Sequence, residues 1–279
     1  MKKVSIKRIL IGLTAVSIMS VMPALTVYGQ ETGGELTPTV KWYIENGTLH
    51  ISGTDTVPTT MMGKKSPWSQ AVSQFSAVSI DDGITAVGMN LFIGYKNITS
   101  LTVAGSVREI GGSAFNKCKN LTTVELKGAI PPDINMVVFY GTKLAQKKLI
   151  VPAGTKATYE ADPLWSQFGT IEESSQPADN AATAQENSTA TLTEPCAIHL
   201  TRTTNFVGGG VSLQVFLNGE EQEKLKNGST IDLQTDRVKN ELLIQQGKNP
   251  VVIKRFDATS GGDIKIEFSF FFGALKIVE

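Results

Sequence analysis

The chemistry of this 279-residue chain is limited first by its small number of histidines and cysteines, two of each. Structural zinc sites need four ligands, usually supplied as closely spaced pairs. The chain has no H-x-x-x-H or C-x-x-C pair and no mixed cluster suited to zinc. His50 is remote from His199, and His199 lies between Ile198 and Leu200, which indicates the polar side of a strand. We therefore predict no metal site.

Nucleophilic and phosphate-binding chemistry also lacks its usual motifs. No G-x-S-x-G elbow occurs, although the sequence leaves open a Ser-His-Asp triad assembled from distant positions. The three glycines at 208–210 are not followed by Lys-Ser/Thr, so they do not form a phosphate loop. Asp81-Asp82-Gly83 is ordinary turn chemistry and has fewer oxygen ligands than a calcium loop needs. We predict a non-enzymatic protein with no catalytic residue and no cofactor.

A repeat in the middle of the chain predicts the elements that position these residues. Val78, Leu101 and Val124 are spaced 23 residues apart, each is followed by a second apolar residue two positions later, and Leu149 follows after 25. This alternation points both apolar side chains inward from one short strand. A fixed period in this range predicts a solenoid whose units bury their apolar faces against their neighbours.

The residue order within each unit carries a family resemblance. Residues 101–121 contain a strand, a V-x-x-I-G turn ending at Gly111, an Ala-Phe pair ending at Phe115, then Cys118 and Leu121. This pattern resembles a BspA-type leucine-rich repeat. The resemblance implies that Cys118 is a small buried apolar residue of the repeat. We expect both Cys118 and Cys196 to be free thiols.

The resemblance extends to the flanks of the repeats. Residues 46–53 combine an Asn-Gly hairpin motif with alternating runs, and with Ser66-Pro-Trp68 they resemble the N-terminal cap of such arrays. Residues 151–168 resemble the closing cap. The first unit has Leu91 and Tyr95 where the pattern has Ala and Cys, and the third unit has two prolines in place of its glycine turn. We predict a short array of about two regular units between two caps.

The first 29 residues have the pattern of a secretory signal peptide. Four basic residues precede an apolar run from Ile9 to Val21, and Val27 and Gly29 occupy the −3 and −1 positions of a cleavage site. The alternative interpretation is an uncleaved membrane anchor. No later segment reaches the ~20 apolar residues that a spanning helix needs. We predict an exported protein, located in the periplasm, at the cell surface or in the medium.

Charge excludes one class of partner. The whole chain has 26 basic and 26 acidic residues, so loss of the four basic leader residues leaves a small net negative charge. A nucleic-acid-binding protein usually carries a basic patch, so we predict no nucleic-acid partner.

Composition divides the mature chain into two predicted domains. Residues 172–194 carry acidic but no basic residues and no aromatic residue, which predicts a disordered acidic linker. Residues 30–171 form the repeat domain. Residues 195–279 alternate apolar and polar positions with period two and contain Asn-Gly turns, which predicts a small antiparallel β-sandwich. Segments 204–210, 215–219 and 225–228 resemble the DUF2846 family of exported β-domains. The predicted fold class is mainly β.

The predicted binding surface is the outer face of the solenoid sheet. Inward-pointing apolar residues leave the intervening residues pointing outward, each 23 residues from the next. The candidate ligand-binding residues are Ser79, Asp81, Thr102, Glu125 and Lys127. Because these side chains are mostly small and polar, we expect weak binding unless several copies act together.

Three functions are compatible with the sequence. The favoured one is an interaction or adhesion protein that binds a protein or glycan partner, because the BspA-type resemblance implies adhesins. The second is a carbohydrate-processing accessory or enzyme in which the sandwich binds glycan. The third is a structural component of the cell envelope. Phenylalanines at alternating strand positions of the sandwich favour a core over a sugar platform.

Overall fold

The computed structural model describes residues 32–179, 191–204, 210–247, 249–269 and 274–278. The predicted signal peptide lies outside the described residues, as do 180–190 of the predicted linker and most of the three-glycine segment. Among the described residues, no helix has the length and apolar character needed to cross a membrane.

The N-terminal part is a solenoid with short strands and few helices. Its strands are β1 (Gly33–Thr37), β2 (Val40–Glu45), β3 (Thr48–Gly53), β4 (Thr56–Val57), β5 (Ala77–Ile80), β6 (Ala86–Val87), β7 (Ser100–Val103), β8 (Glu109–Ile110), β9 (Thr123–Leu126), β10 (Lys148–Val151) and β11 (Thr170–Glu173). Its helices are α1 (Lys156–Ala161) and the 3-10 helices Pro67–Gln74, Leu144–Gln146 and Trp165–Gln167.

The main sheet of the solenoid has the strand order β1-β2-β3-β5-β7-β9-β10-β11. The first three strands pair antiparallel, and Asn46 and Gly47 form the tight turn between β2 and β3 with positive φ angles of 50° and 75°. From β3 onward the pairing is parallel, and Val78 lies opposite Leu101 and Leu101 opposite Val124. The 23-residue period therefore sets the strand register.

A second, three-stranded sheet of order β4-β6-β8 forms the turn side of the coil. Gly88 and Gly111 follow β6 and β8, where successive coils approach closely. A Cβ on Gly111 would lie 2.8 Å from the backbone carbon of Gly88, and one on Gly88 would lie 2.5 Å from the carbonyl oxygen of Val57. The glycines are thus required by close backbone contact between coils.

Stacked aromatic rings fill the interior of the solenoid. Phe115 is completely buried, and its ring centroid lies 5.1 Å from that of Phe92 and 5.7 Å from that of Phe139. Trp68 of the N-terminal cap stacks on Phe92 at 4.9 Å, and Trp165 of the C-terminal cap contacts Phe139 at 5.8 Å. The ladder therefore runs from cap to cap, and both caps seal it.

The third unit keeps its place in the coil despite its prolines. The Ile110 N–H donates to the Asp133 carbonyl (2.9 Å), and the Asp133 N–H donates to the Arg108 carbonyl (2.8 Å). Phe139 takes the ring position that Phe115 has in the unit before it. Both cysteines are buried and free, and the Cys118 thiol donates to the Phe92 carbonyl at 3.1 Å.

The C-terminal part is a sandwich of two four-stranded sheets. Its strands are β12 (Thr191–Arg202), β13 (Gln214–Leu217), β14 (Glu220–Glu221), β15 (Thr230–Arg237), β16 (Lys239–Gln246), β17 (Asn249–Asp257), β18 (Asp263–Ser269) and β19 (Ala274–Val278). The sheet orders are β15-β12-β18-β19 and β14-β13-β16-β17. Buried alternating residues such as Ile198, Leu200, Val215 and Phe268 form its core.

These features confirm the predicted mainly β fold with a short solenoid and a small sandwich. One detail differs from the antiparallel prediction, because β12 and β18 pair in parallel. Alternation of apolar and polar residues is the same in parallel and antiparallel strands of a one-sided sheet, so the sequence pattern does not distinguish them.

The chain also differs from the predicted linker, 172–194, at both ends. β11 continues to Glu173, and β12 begins at Thr191. The Asp179 N–H donates to the Lys127 carbonyl at 2.9 Å, so residues 174–179 still follow the solenoid. Backbone hydrogen bonds need no apolar side chain, which is why composition placed these residues in the linker. The division into two independently folding domains stays a prediction.

Strand β17 of the sandwich contacts the edge of the solenoid. Asn135 and Val252 form an antiparallel β-bridge, and the Met136 N–H donates to the Val251 carbonyl at 2.9 Å. Ile253, although it belongs to the sandwich, is buried in the hydrophobic core of the solenoid. The sandwich thus contributes Ile253 to the interior of the solenoid, and Leu243 of β16 packs against the same core while partly exposed.

Candidate functional site

The outer face of the main solenoid sheet carries a continuous row of side chains. Ser79 lies opposite Thr102, and Thr102 lies opposite Glu125 on the next strand. The Thr102 hydroxyl lies 3.4 Å from a carboxylate oxygen of Glu125. The structure therefore brings these three predicted residues together in register, and their role in ligand binding stays a prediction.

Asp81 anchors a polar cluster at the N-terminal end of this row. The Ser79 hydroxyl donates to Asp81 Oδ1 at 2.6 Å, and His50 Nδ1 lies 3.3 Å from both carboxylate oxygens. Tyr43 stacks on His50 with a centroid distance of 4.8 Å and an interplanar angle of 8°. Partial burial, together with the negative charge of Asp81, raises the pKa of Tyr43. The cluster offers a ring face, a hydroxyl and a carboxylate on one surface.

This cluster is not a catalytic triad, although it holds a serine, a histidine and an aspartate. In a triad the histidine lies between the hydroxyl and the carboxylate, so that it removes the hydroxyl proton. Here Asp81 lies between Ser79 and His50, and the Ser79 hydroxyl donates to the carboxylate. The arrangement can bind a partner through hydrogen bonds and stacking, but it does not activate Ser79 as a nucleophile.

Sequence reasoning missed Tyr43 and His50 as members of the surface. Leu49 and Ile51 of β3 are fully buried, which places His50 between them on the outer face. The Asn-Gly hairpin then sets Tyr43 directly opposite His50. The same alternation rule that predicted Ser79 would have found both residues if it had been extended from the repeats into the cap.

The opposite end of the face carries more charged side chains. Glu125 lies opposite Ile150, and Lys148 makes an exposed ion pair with Glu172 at 2.8 Å. Lys127 lies two residues after Glu125 in the sequence. Its carbonyl accepts the N–H of Asp179, which follows β11. Lys127 is therefore separated from the Tyr43 end by the length of the row.

A second polar cluster lies where β17 meets the solenoid. Arg255 Nη2 lies 2.6 Å from Asp162 and 2.9 Å from Glu241, and Nη1 lies 3.1 Å from Asp133. Lys254 contacts Glu109 and lies 3.8 Å from Asp133. The cavity that adjoins this cluster has a volume of only about 40 Å³, close to the volume of one water molecule.

The charges of this junction shift one another's pKa. Burial raises the pKa of the Asp133 carboxyl to about 6, against the opposing effect of Arg255 and Lys254. For Arg255, burial alone favours the neutral form, but the carboxylates of Asp162, Asp133 and Glu241 raise its pKa overall. The cluster thus consists of paired charges that hold the sandwich against the solenoid.

His199 is the other histidine of interest. Its Nδ1 lies 2.5 Å from Asp232 and its Nε2 lies 3.2 Å from Asp263, with 37% of the side chain exposed. Both ring nitrogens therefore face carboxylates, on the polar side of β12 as the sequence predicts. Within the described ranges, no group of three or more His, Cys, Asp or Glu side chains is arranged to hold a metal ion.

The sequence and the structure were compared with protein families and with known proteins. The family model described as the BspA type leucine rich repeat region (6 copies) matches residues 70–158. No curated protein matches the chain. A solved leucine-rich repeat protein from Eubacterium ventriosum ATCC 27560 is 23% identical, with a TM-score of 0.33, over 51% of this chain and 44% of that one. The chain thus spans less than half the length of that relative.

The family match defines the class of the central region as a BspA-type leucine-rich repeat, which indicates a protein-interaction role. Proteins with such repeats are typically non-enzymatic and located at the surface or secreted. The match does not reach the sandwich, so the resemblance of residues 195–279 to the DUF2846 family stays a prediction.

Proposed function

We propose that this chain is an exported, non-enzymatic interaction protein that binds a protein partner through the outer face of its solenoid sheet. The BspA-type repeat supports an interaction role. The observation that carries the proposal is the aligned row of Tyr43, His50, Ser79, Thr102 and Glu125 on five adjacent strands. A partner can contact this row without any rearrangement of the sheet.

The composition of the row sets where the binding energy is concentrated. Tyrosine is one of the residues that contribute most to protein interfaces, whereas serine and threonine contribute little. Tyr43 is held by its stack on His50, so little side-chain freedom is lost on binding. The contact is therefore centred on the Tyr43 end of the row and extends toward Thr102. A single copy binds in the micromolar range, and adhesion depends on several copies acting together.

The proposal is tested by surface plasmon resonance with the chain from residue 30 onward. The immobilised panel contains extracellular-matrix proteins and, as a separate arm, glycans. Each partner that binds is retested with Thr102→Arg, which places a large charged side chain in the middle of the row. The matched control is Thr230→Arg, at an exposed threonine of the sandwich.

A protein partner that loses at least tenfold affinity on Thr102→Arg, but not on Thr230→Arg, supports the proposal. Binding to glycans alone contradicts the protein partner. Protein binding that is unchanged by Thr102→Arg contradicts the assigned face.

A further inference from the structure

An apolar groove of about 690 Å³ lies in the N-terminal part of the solenoid, away from the residues of the outer sheet face. Four apolar side chains that line it are unusually exposed, with 73% for Met61, 72% for Met62, 42% for Ile93 and 38% for Val72. Single exposed apolar residues are normal on a protein surface, whereas several in one concavity mark an interaction site.

The local structure holds these side chains out of the core. The Lys64 N–H donates to the Met61 carbonyl at 2.9 Å, and Gly63 has a φ of 80°, as in a type II turn. This turn projects both methionines from the loop before the 3-10 helix Pro67–Gln74. On that helix, Ala71 points into the core and is fully buried, so its neighbour Val72 faces outward.

Ile93 is exposed for the same reason on the other wall of the groove. It follows Phe92, which is fully buried in the aromatic ladder. The core positions beside these residues are therefore already filled, and the exposed side chains are not needed to complete the interior.

The charges around the groove all have one sign. Lys64, Lys65 and Lys96 line it, and no aspartate or glutamate is among its described lining residues. The amides and hydroxyls of Asn90 and Ser69 supply polar groups between the apolar walls. The occupant that matches this surface combines apolar side chains with carboxylates.

We propose that the groove binds a short extended peptide segment of a partner protein, in which apolar side chains alternate with or adjoin acidic residues. Methionine side chains are flexible and polarisable, so they adapt to apolar side chains of different shapes. The volume of the groove lies within the roughly 300–1,000 Å³ that is typical of ligand pockets. A peptide fits better than a lipid surface, because membrane-surface binding typically uses a long amphipathic helix, whereas here the apolar residues lie on a turn, a short 3-10 helix and a second turn around one concavity.

This site is distinct from the proposed binding face of the sheet. The groove belongs to the loop before Pro67–Gln74, to that helix and to the turn around Ile93, and it shares no residue with the row from Tyr43 to Glu125. The chain can therefore hold two partners, or two parts of one partner.

The test uses an array of immobilised twelve-residue peptides in which the number of leucines and the net charge are varied independently. The fluorescently labelled chain from residue 30 onward is applied to the array. We expect binding to increase with both leucine content and negative charge, with a Kd in the micromolar range for the best peptide in solution. Lys64→Glu/Lys65→Glu should weaken that Kd at least tenfold, and Met62→Ser should weaken it several-fold.

The matched control is Lys119→Glu/Lys147→Glu, a double charge reversal in the later turns of the solenoid, which should leave the Kd within twofold of the wild type. Circular dichroism of each variant establishes that it is folded. Absence of binding to any acidic, leucine-containing peptide overturns the proposal. Binding of the wild type to basic peptides as tightly as to acidic ones also overturns it, as does an unchanged Kd for Lys64→Glu/Lys65→Glu.

Two further outcomes also overturn it. Sedimentation that shows self-association abolished by Met62→Ser identifies a second copy of the chain as the occupant. Binding to anionic phosphatidylglycerol vesicles that is lost in Lys64→Glu/Lys65→Glu, with no peptide binding, identifies a membrane surface instead.

Discussion

Arg255 of the sandwich and Asp133 of the solenoid are joined twice. The Arg255 backbone N–H donates to Asp133 Oδ2 at 2.9 Å, and the guanidinium donates to Oδ1 at 3.1 Å. Asp133 is only 6% exposed. The second carboxylate on the guanidinium, Asp162, is 4% exposed. This pairing joins β17 to the solenoid and supplies the cation for the buried Asp162 carboxylate, while Asp133 also has Lys254 3.8 Å away.

Arg255→Ala should destabilise the chain strongly, because it removes the cation that pairs with the buried Asp162 carboxylate and leaves Asp133 with only the more distant Lys254. Removal of one partner from a buried pair costs on the order of 3 kcal/mol. The control is Lys239→Ala, which removes an exposed ion pair with Asp257 and should cost less than about 1 kcal/mol. Urea denaturation followed by tryptophan fluorescence measures both. Equal effects of the two variants would show that the junction adds no stability.

The junction also predicts a pH dependence of stability. The pKa of Asp133 is about 6 in the folded chain, above its ordinary value of 3.8, so the folded state binds the proton more tightly. The stabilisation that comes from the protonated Asp133 carboxyl is complete below pH 4 and is lost as the pH rises through about 6. The loss is on the order of 2–3 kcal/mol. The charges that face Asp133 and modify this value are Arg255, Lys254 and Glu109.

Asp133→Asn isolates this contribution, because the amide does not titrate. The free energy of unfolding of the wild type relative to Asp133→Asn should fall between pH 4 and pH 7, as measured by urea denaturation. A difference that is constant or that grows with pH would mean that Asp133 has an unshifted or lowered pKa.

Phe115→Ala should damage the solenoid more than a change on its outer face. Phe115 is fully buried between two other rings, and truncation of such a side chain costs about 3–5 kcal/mol. Thr102→Ala, on the outer face, should change the free energy of unfolding by roughly 0.5 kcal/mol or less. Thermal and urea denaturation compare them. Similar losses in both variants would mean that the inward and outward faces are wrongly assigned.

Limited proteolysis tests the division of the chain. Residues 180–190 contain Glu186 and no apolar residue larger than alanine, whereas Glu172 and Glu173 lie in β11. A glutamate-specific protease should therefore cut first after Glu186 and leave two fragments that resist further cleavage, as seen on a denaturing gel. First cleavage after Glu172 or within the sandwich would contradict the predicted division of the chain.

The sequence predicts the solenoid well because the repeat spacing also sets which residues of neighbouring strands lie opposite each other. Val78, Leu101 and Val124 are spaced by one period, and stacked parallel strands place them side by side. The position of Phe139 in the aromatic stack was not predicted, because the third unit has two prolines where the other units have the glycine turn. The repeat therefore predicts the regular coils but not the irregular one.

The junction and the Tyr43 end of the surface were harder to predict, for different reasons. Ile253 alternates in β17 like any sandwich residue, and no local pattern indicates that it enters the core of another domain. Arg255 and Asp133 are far apart in the sequence, so their pairing depends on tertiary contacts alone. Tyr43 and His50 were accessible to the alternation rule but lie in the cap, outside the repeats.

Binding of a protein partner by the outer sheet face is tested by comparing two surface variants against the same partner. The Kd of a partner found in the panel is measured by surface plasmon resonance for the wild type, for Tyr43→Ala with Thr102→Arg, and for Lys64→Glu/Lys65→Glu in the groove. We predict at least a tenfold loss for the sheet-face variant and less than a threefold change for the groove variant. An unchanged Kd for the folded sheet-face variant would contradict the claim.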